Sequence, residues 1–447
     1  MKNIILITFL IFAITAKSQD TKSLTLKDAI TYALENKADA KKAKLKVENS
    51  EYQIQEVRSR ALPQISANGG LTYNPILQTT FLDGGSFGGE PGTTVKLNFG
   101  QKWNSTAGVS LTQTLFDQSV FTGLKAARST REFYQINDQL TEEQVIERVA
   151  NNYYQVYVQR QKLNVLDSTY VNTNKVKTII KGQFDNGLAK KIDLDRILVK
   201  ISNINTQRQQ ILNAVQLQEN ALKFYIGMPI ETKITIPQTE FQVTPQAFSE
   251  APNTANRTEY LLLKKQEQLL MFQKKADEAA YYPTLSLSAG YNYIGQGPKM
   301  PWGAKPADGV YWSDYSSIGL NLKVPIFTGF GTRAKVRQAD VNLRSLKEDI
   351  KDTKLSLDLA YENANIQINN SVITINNQKE NAQLAQEVLN NTRNNYIQGL
   401  ASLTDLLDAE NSLTEAQNNY TSAILDYKLA EIQLIKSKGE LKTLLNN

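Results

Sequence analysis

The chain has 447 residues and a formal net charge of +6, and it contains neither cysteine nor histidine. These absences exclude disulfides, Cys-His and Ser-His catalysis and the commonest metal ligand, so no catalytic residue, metal or cofactor is expected. Basic residues are scattered among acidic ones without runs or interleaved aromatics, so nucleic-acid binding is not indicated.

Residues 1–18 read as a secretory signal: Lys2, the apolar run Ile4 to Thr15, then small Ala16 and Ser18 at the cleavage site. The run is too short to span a bilayer, and no Cys follows it to carry a lipid, so an exported chain without a helical anchor is expected. A helical pattern opens at Leu24-Thr25-Leu26 and runs to about Ala61, where Leu62-Pro63 stops it. The period then changes from 3.6 to 2: Ile65, Ala67, Gly69, Leu71 and Tyr73 alternate with Ser66, Asn68, Gly70 and Thr72. A Gly-rich loop around residues 83–92 precedes a second alternating strand. It runs from Trp103 to Leu115-Phe116-Asp117, with Ala107, Val109 and Leu111 on one face.

From about Ser119 a helical pattern continues to Gly187, a rod on the order of 90–100 Å. The chain returns as a helix from about Leu194 and stops at Gly227-Met228-Pro229. Residues from Pro229 to Asn253 read as an irregular connector. The second half repeats the plan. A helix runs from Thr258 to Tyr281-Tyr282-Pro283, and a strand follows with Leu285, Leu287, Ala289, Tyr291 and Tyr293 on one face. A loop spans Gly295 to Trp312. In the fourth strand Ile318, Leu320, Leu322, Val324 and Ile326 alternate with polar or small residues. A long helix then runs to Tyr396, and a last one from Thr404 carries a 3-4 series from Leu406 to Leu434.

Both long hairpins turn at the same motif. Phe184-Asp185-Asn186-Gly187-Leu188-Ala189 and Tyr396-Ile397-Gln398-Gly399-Leu400-Ala401 lie 212 positions apart (187 to 399). The spacing reads as an internal two-fold repeat: 19–229 as the first copy, 230–255 as connector and 256–447 as the second. Each Gly suits the left-handed end of a helix, with Leu188 or Leu400 packing back. Ser402-Leu403-Thr404-Asp405 has the form of a capping box, which Asp193 has to replace in the first copy.

Four alternating strands of about 10–12 residues have the length of membrane β-strands. Tyr73, Trp103, Tyr291, Tyr293, Trp302, Tyr311, Trp312 and Tyr315 cluster at their ends as interfacial girdles would. Four strands cannot close a barrel, and lipid does not tolerate open edges. Three copies give twelve strands, wide enough for water. Ser288, Asn292, Asn321 and Lys323 are then expected to face the lumen. A soluble sheet with one wet face is the alternative that alternation alone permits.

The chain resembles the TolC-like outer membrane efflux proteins over nearly all its mature length. The marks are Tyr396, Gly399 and Asp405-Leu406-Leu407-Asp408-Ala409, with Ala61-Leu62-Pro63, Tyr281-Tyr282-Pro283 and Val324-Pro325-Ile326-Phe327 in support. The resemblance implies a homotrimer in the Gram-negative outer membrane: a twelve-stranded β-barrel continued by an α-helical coiled-coil tunnel in the periplasm. It also implies partners: outer-membrane lipid, a periplasmic adaptor (membrane fusion) protein, and an inner-membrane transporter of the RND, ABC or MFS type. Asp405 and Asp408 match a carboxylate ring at the closed periplasmic gate, and Tyr396 with Asp193 matches a polar link. In the family's best-known member an Arg makes a second link; here that position is Ala401. The tips at Gly187, Leu188, Gly399 and Leu400 are expected to dock the adaptor. The function expected is an exit duct for efflux, with a type I protein-secretion duct as the alternative. A non-transport, periplasm-spanning structural coiled-coil protein would explain the helices but not the two-faced strands.

Overall fold

The computed structural model describes residues 22–86, 90–237 and 253–446. The expected signal, and residues 238–252 of the expected connector, lie outside the described residues. Short strands and long helices follow in the order β1 (Lys22–Ser23), α1 (Leu26–Asn36), α2 (Ala38–Ser59), β2 (Gln64–Tyr73), β3 (Gln78–Asp83), β4 (Thr94–Phe99) and β5 (Trp103–Phe116). Then come α3 (Gln118–Asp185), α4 (Lys191–Ile226), β6 (Ile234–Thr235), α5 (Thr258–Ala279), β7 (Thr284–Gly297), β8 (Tyr311–Lys323), α6 (Gly331–Ile397) and α7 (Leu403–Lys438). No described helix is long and apolar enough to cross a membrane.

The chain divides into two units. One is built from residues 48–132 and 265–347, the other from the described parts of 1–47, 133–264 and 348–447. Helices α2, α3, α5 and α6 each contribute a portion to both.

The first of these units holds an antiparallel sheet in the order β2-β5-β7-β8. β2 and β7 begin where the alternating period begins, just after Pro63 and Pro283, which cannot donate to a helix or a ladder. The fourth strand ends at Lys323, short of the expected Ile326, because Pro325 cannot continue the hydrogen-bonded ladder. β7 and β8 also extend to Gly297 and back to Tyr311, into what the sequence marks as loop. The region around residues 83–92 holds a further correction. Its flanks form the hairpin β3–β4, in register from Gln78↔Phe99 to Asp83↔Thr94. Its strands alternate Thr80 and Leu82 against Val95 and Leu97, a short pattern overshadowed by the glycines between them.

In the other unit the core gathers Ile30 and Ala33 of α1, Ile146, Val149 and Val156 of α3, Leu222 and Ile226 of α4, and Ile432 of α7. A parallel pair, Lys22↔Ile234 and Ser23↔Thr235, brings the start of the connector beside the N-terminal strand. Arg160 fastens it, donating to Glu219 Oε1 at 2.6 Å and to the Ile234 carbonyl at 2.8 Å.

The expected single helix from Leu24 to Ala61 is interrupted: Lys37 is extended at φ −65°, ψ 133°. No Pro or Gly breaks it; packing does. Gly227 (φ +74°) abuts the Asn36–Lys37 peptide so closely that a Cβ there would lie 2.9 Å from Asn36 C and O. Lys37 Nζ donates to the Phe224 carbonyl at 3.0 Å and sits 3.8 Å over the Phe224 ring.

Candidate functional site

Register gives the sheet two continuous faces, since directly opposed residues of an antiparallel pair share a side. Ile65↔Leu111, Leu111↔Ala289 and Ala289↔Ile318 carry one apolar row across all four strands. Gln64↔Thr112, Thr112↔Ser288 and Ser288↔Gly319 carry a row of polar and small residues. Ser288 and Asn292 therefore lie on the polar face with Asn321 and Lys323, which pair with Ser286 and Thr284. Asn321 Nδ2 donates to Ser288 Oγ at 3.1 Å, and the hydroxyls of Ser66 and Ser110 lie 2.8 Å apart. Asn292 folds over Gly108, where no Cβ would fit. The polar face is a hydrogen-bonded surface of small side chains.

Among the described residues the apolar face is uncovered. Ile318 is 82% and Leu320 66% exposed, and Ile65, Val109, Tyr291 and Leu322 are exposed beside them. At the loop end Tyr73 and Trp103 rings pack at 4.6 Å, Tyr293 stacks on Trp312 at 4.7 Å, and Trp302 Nε1 donates to Ser105 Oγ at 2.9 Å. The only charged residue on that face among the described strands, Asp314, accepts the Tyr291 hydroxyl at 2.9 Å. A second aromatic band at the opposite end was not singled out from the sequence: Phe116, Tyr281, Tyr282, Phe327 and Phe330, all exposed. The signal was their position directly beside the strand ends and prolines.

The tips are built by helix termination. Gly187 takes φ +73°, with Leu188 N donating to Gln183 O at 2.7 Å and Gly187 N to Phe184 O at 2.9 Å. Gly399 repeats this at φ +76°, with Leu400 N to Asn395 O at 2.8 Å and Gly399 N to Tyr396 O at 3.0 Å. Both are Schellman ends. The leucines do not pack back as expected: Leu188 is 82% and Leu400 75% exposed. Their usual partner, three residues inside the helix end, is Gln183 or Asn395, which offers no apolar surface.

Ser402 caps α7 in a full capping box. Asp405 Oδ2 accepts from Ser402 N at 2.8 Å and Ser402 Oγ at 2.7 Å, and Asp405 N donates back to Ser402 Oγ at 3.2 Å. Those hydrogen bonds hold the Asp405 carboxyl below the usual carboxylate range. A depressed folded pKa means stability that is present above the unfolded value of about 3.9 and lost as pH falls through the folded one. Ser402→Ala should raise the Asp405 pKa towards its ordinary value and fray the first turn of α7, by about 1 kcal/mol for the lost cap hydroxyl. Hydrogen exchange at residues 403–406 reads this; unchanged exchange would mean the box contributes nothing.

In the first tip Lys190 makes no side-chain cap. Asp193 does not replace it: its Oδ1 lies 3.7 Å from Arg196 Nη1. Arg196 also donates to Thr404 Oγ1 at 3.1 Å, joining α4 to α7. The sequence did not single out Arg196, although it stands one turn after Asp193. Tyr396 is half-buried against the tip cluster, and burial, then the Asp193 charge, raises its pKa. No hydrogen bond joins Tyr396 to Asp193 among the described residues. Asp408 is exposed on the outside of the same turn as Asp405. Ala401 is followed by the bonded Thr404, so a cross-hairpin contact to an Arg exists here by another route.

A family model described as outer membrane efflux protein matches residues 29–228 and 266–440. The outer membrane protein TolC of Vibrio cholerae is 24% identical over 348 residues, 75% of this chain and 77% of its own. The alkaline protease secretion protein AprF of Pseudomonas aeruginosa is 24% identical over 435 residues, 93% of this chain and 84% of its own. The crystal structure of the outer membrane protein VceC of Vibrio cholerae superposes with a TM-score of 0.72 at 17% identity, covering 93% of this chain and 96% of that one. That last likeness is one of fold.

Proposed function

The chain belongs to the outer membrane efflux protein family, and from that premise we propose that three copies share one twelve-stranded barrel and form the exit duct of a tripartite export system. The observation that carries this reading is the sheet β2-β5-β7-β8, with its uncovered apolar face, its hydrogen-bonded polar face and its edge strands β2 and β8, each paired on one side only among the described residues. Lipid covers such a face, but only closure removes the edges. Four strands are too few to close, and three chains supply an even number large enough for a water-filled lumen. Ser288, Asn292, Asn321 and Lys323 then line the lumen.

A second feature supports copies packing side by side. Leu355, Leu359, Ile366 and Ile373 form an exposed stripe on α6, spaced four, seven and seven apart, which suits a coiled-coil seam with a neighbouring chain. The duct has no catalytic chemistry of its own. Proteins named for efflux and for protease secretion are both similar to it, and the duct reading does not depend on whether small molecules or proteins pass. The partners are a periplasmic adaptor and an inner-membrane transporter of the RND, ABC or MFS type, with the chain duplicated from a two-fold repeat whose tips are Gly187 and Gly399.

The test is purification from outer membranes followed by cross-linking and planar-bilayer recording. A trimer whose gel migration shifts on heating, with stepwise conductance, is expected; a soluble monomer without conductance overturns the proposal.

The tips are the proposed adaptor surface. A Cβ at Gly399 meets nothing within 4 Å, so the base of a Trp side chain has open space there; Gly399→Trp adds bulk where the partner is proposed to dock, plus roughly 1–2 kcal/mol of left-handed strain. Export should fall at least about tenfold while the trimer still assembles. Normal export by Gly399→Trp would leave the turns as caps alone.

A further inference from the structure

Two residues beyond Asp408, α7 turns a carboxyl inward. Glu410 is 3% exposed, and the other three helices of this bundle place polar groups around it. Thr173 of α3 brings its Oγ1 to 3.4 Å from Glu410 Oε2, and Lys200 of α4 and Arg393 of α6 act on it through their charges. Asp408, exposed two positions earlier on the same helix, acts on Lys200 through its charge. Among the described residues Glu410 Oε1 has no hydrogen-bond partner.

This is poor provision for a buried anion, which ordinarily gathers two or three donors. The one contact is weaker than its distance suggests. Thr173 has a single hydroxyl proton, and its better acceptor is the Thr169 carbonyl at 2.8 Å. That one proton is shared between the Thr169 carbonyl and Glu410 Oε2, and the carboxylate is the more distant of the two at 3.4 Å. Burial pushes the Glu410 carboxyl up, against the pull of Arg393, Thr173 and Lys200. The same burial pushes Lys200 down, against the pull of Glu410 and Asp408.

The tip's apolar cluster starts at this turn. Leu406, Leu407 and Ala409 of α7 pack with Val176 and Ile180 of α3, Ile197 and Ile201 of α4, and Leu389 of α6. Hydrating Glu410 therefore requires these helices to separate locally.

We propose that Glu410 is a proton-operated latch of the tip bundle: neutral, it lets the four helices pack around it, and its ionisation draws water in and parts α7 from α3. The packed form holds the proton more tightly than the parted form, so falling pH favours packing and rising pH favours parting. The latch rests on the duct reading only for its consequence, the ease with which the periplasmic end opens.

The experiment is hydrogen exchange on the full-length protein in detergent, corrected for intrinsic rates, from about pH 5 to about pH 8. In the wild type, protection of residues 170–180 and 405–414 should fall about tenfold as pH rises. Glu410→Gln should keep high protection throughout, since it fills the same space without a charge. Lys200→Met should move the transition to higher pH by removing a cation that favours the carboxylate. A wild-type profile in Glu410→Gln overturns the latch, and so does disappearance of the transition in Lys200→Met, which would make Lys200 the titrating group. Should Glu410→Gln fail to assemble, Thr173→Val, which removes the one hydrogen bond to the carboxylate, should shift the transition upward, and an unmoved midpoint overturns the proposal. Bilayer recording on the same samples separates the two readings: no conductance at any pH defeats the duct and leaves the exchange result standing.

Discussion

Leu320→Arg should remove most assembled protein from the outer membrane, whereas Asn321→Arg, one residue away on β8, should leave assembly intact and alter conductance. Leu320 sits opposite Leu287 on the uncovered apolar face. An Arg near the bilayer midplane on that face costs about 2–4 kcal/mol per chain. In a trimer the cost falls on all three copies, a large fraction of the 5–15 kcal/mol by which a typical domain is stable. Asn321 stands on the other face, where Arg exchanges one hydrogen bond to Ser288 for a solvated charge. Quantifying the heat-shifted trimer band for each variant decides it. Equal loss in both, or none in either, would show that the faces do not divide lipid from water.

If Asp405 and Asp408 form the proposed gate ring, Asp405→Asn with Asp408→Asn should abolish block by a trivalent cation from the periplasmic side and weaken cation selectivity in planar bilayers. Asn is preferred to Ala because Asp405 also accepts two hydrogen bonds from Ser402, and an amide oxygen can keep them. In the proposed trimer six carboxylates would meet around one axis and concentrate polyvalent cations there. Asp408 is exposed and makes no hydrogen bond or ion pair with its side chain among the described residues, although its charge also acts on Lys200. Retained full block in the double variant would make both residues caps. Arg196→Ala, which removes the link from α4 to Thr404, should raise resting conductance in the same recordings.

The sequence was most legible where the rule is local. The strands were read from strict period-two alternation, which the register reproduces residue for residue from Gln64 to Tyr73. The tips were read from glycine followed by leucine, and the left-handed φ and Schellman bonds follow from chemistry within six residues. The Ser402 box needed only the spacing of its two partners. The errors had the opposite character. Leu188 was expected to pack back on general grounds, but the residues it would have met are polar. The break at Lys37 has no signal in its own neighbourhood, since Gly227 imposes it from 190 residues away.

The candidate site divides in the same way. Alternation placed Ser288, Asn292, Asn321 and Lys323 on one side of a sheet because a strand's pleat fixes sides without reference to anything distant. Helix period and capping likewise fixed the ends of the rods and the position of Asp405. Nothing local said that Arg196 would reach Thr404, or that Glu410, one polar residue in a helix rich in them, would be sealed beside Thr173, Lys200 and Arg393. Those outcomes depend on which faces of four helices meet, and contacts 200 residues apart in sequence are set by packing, which burial enforces and no short window of sequence records.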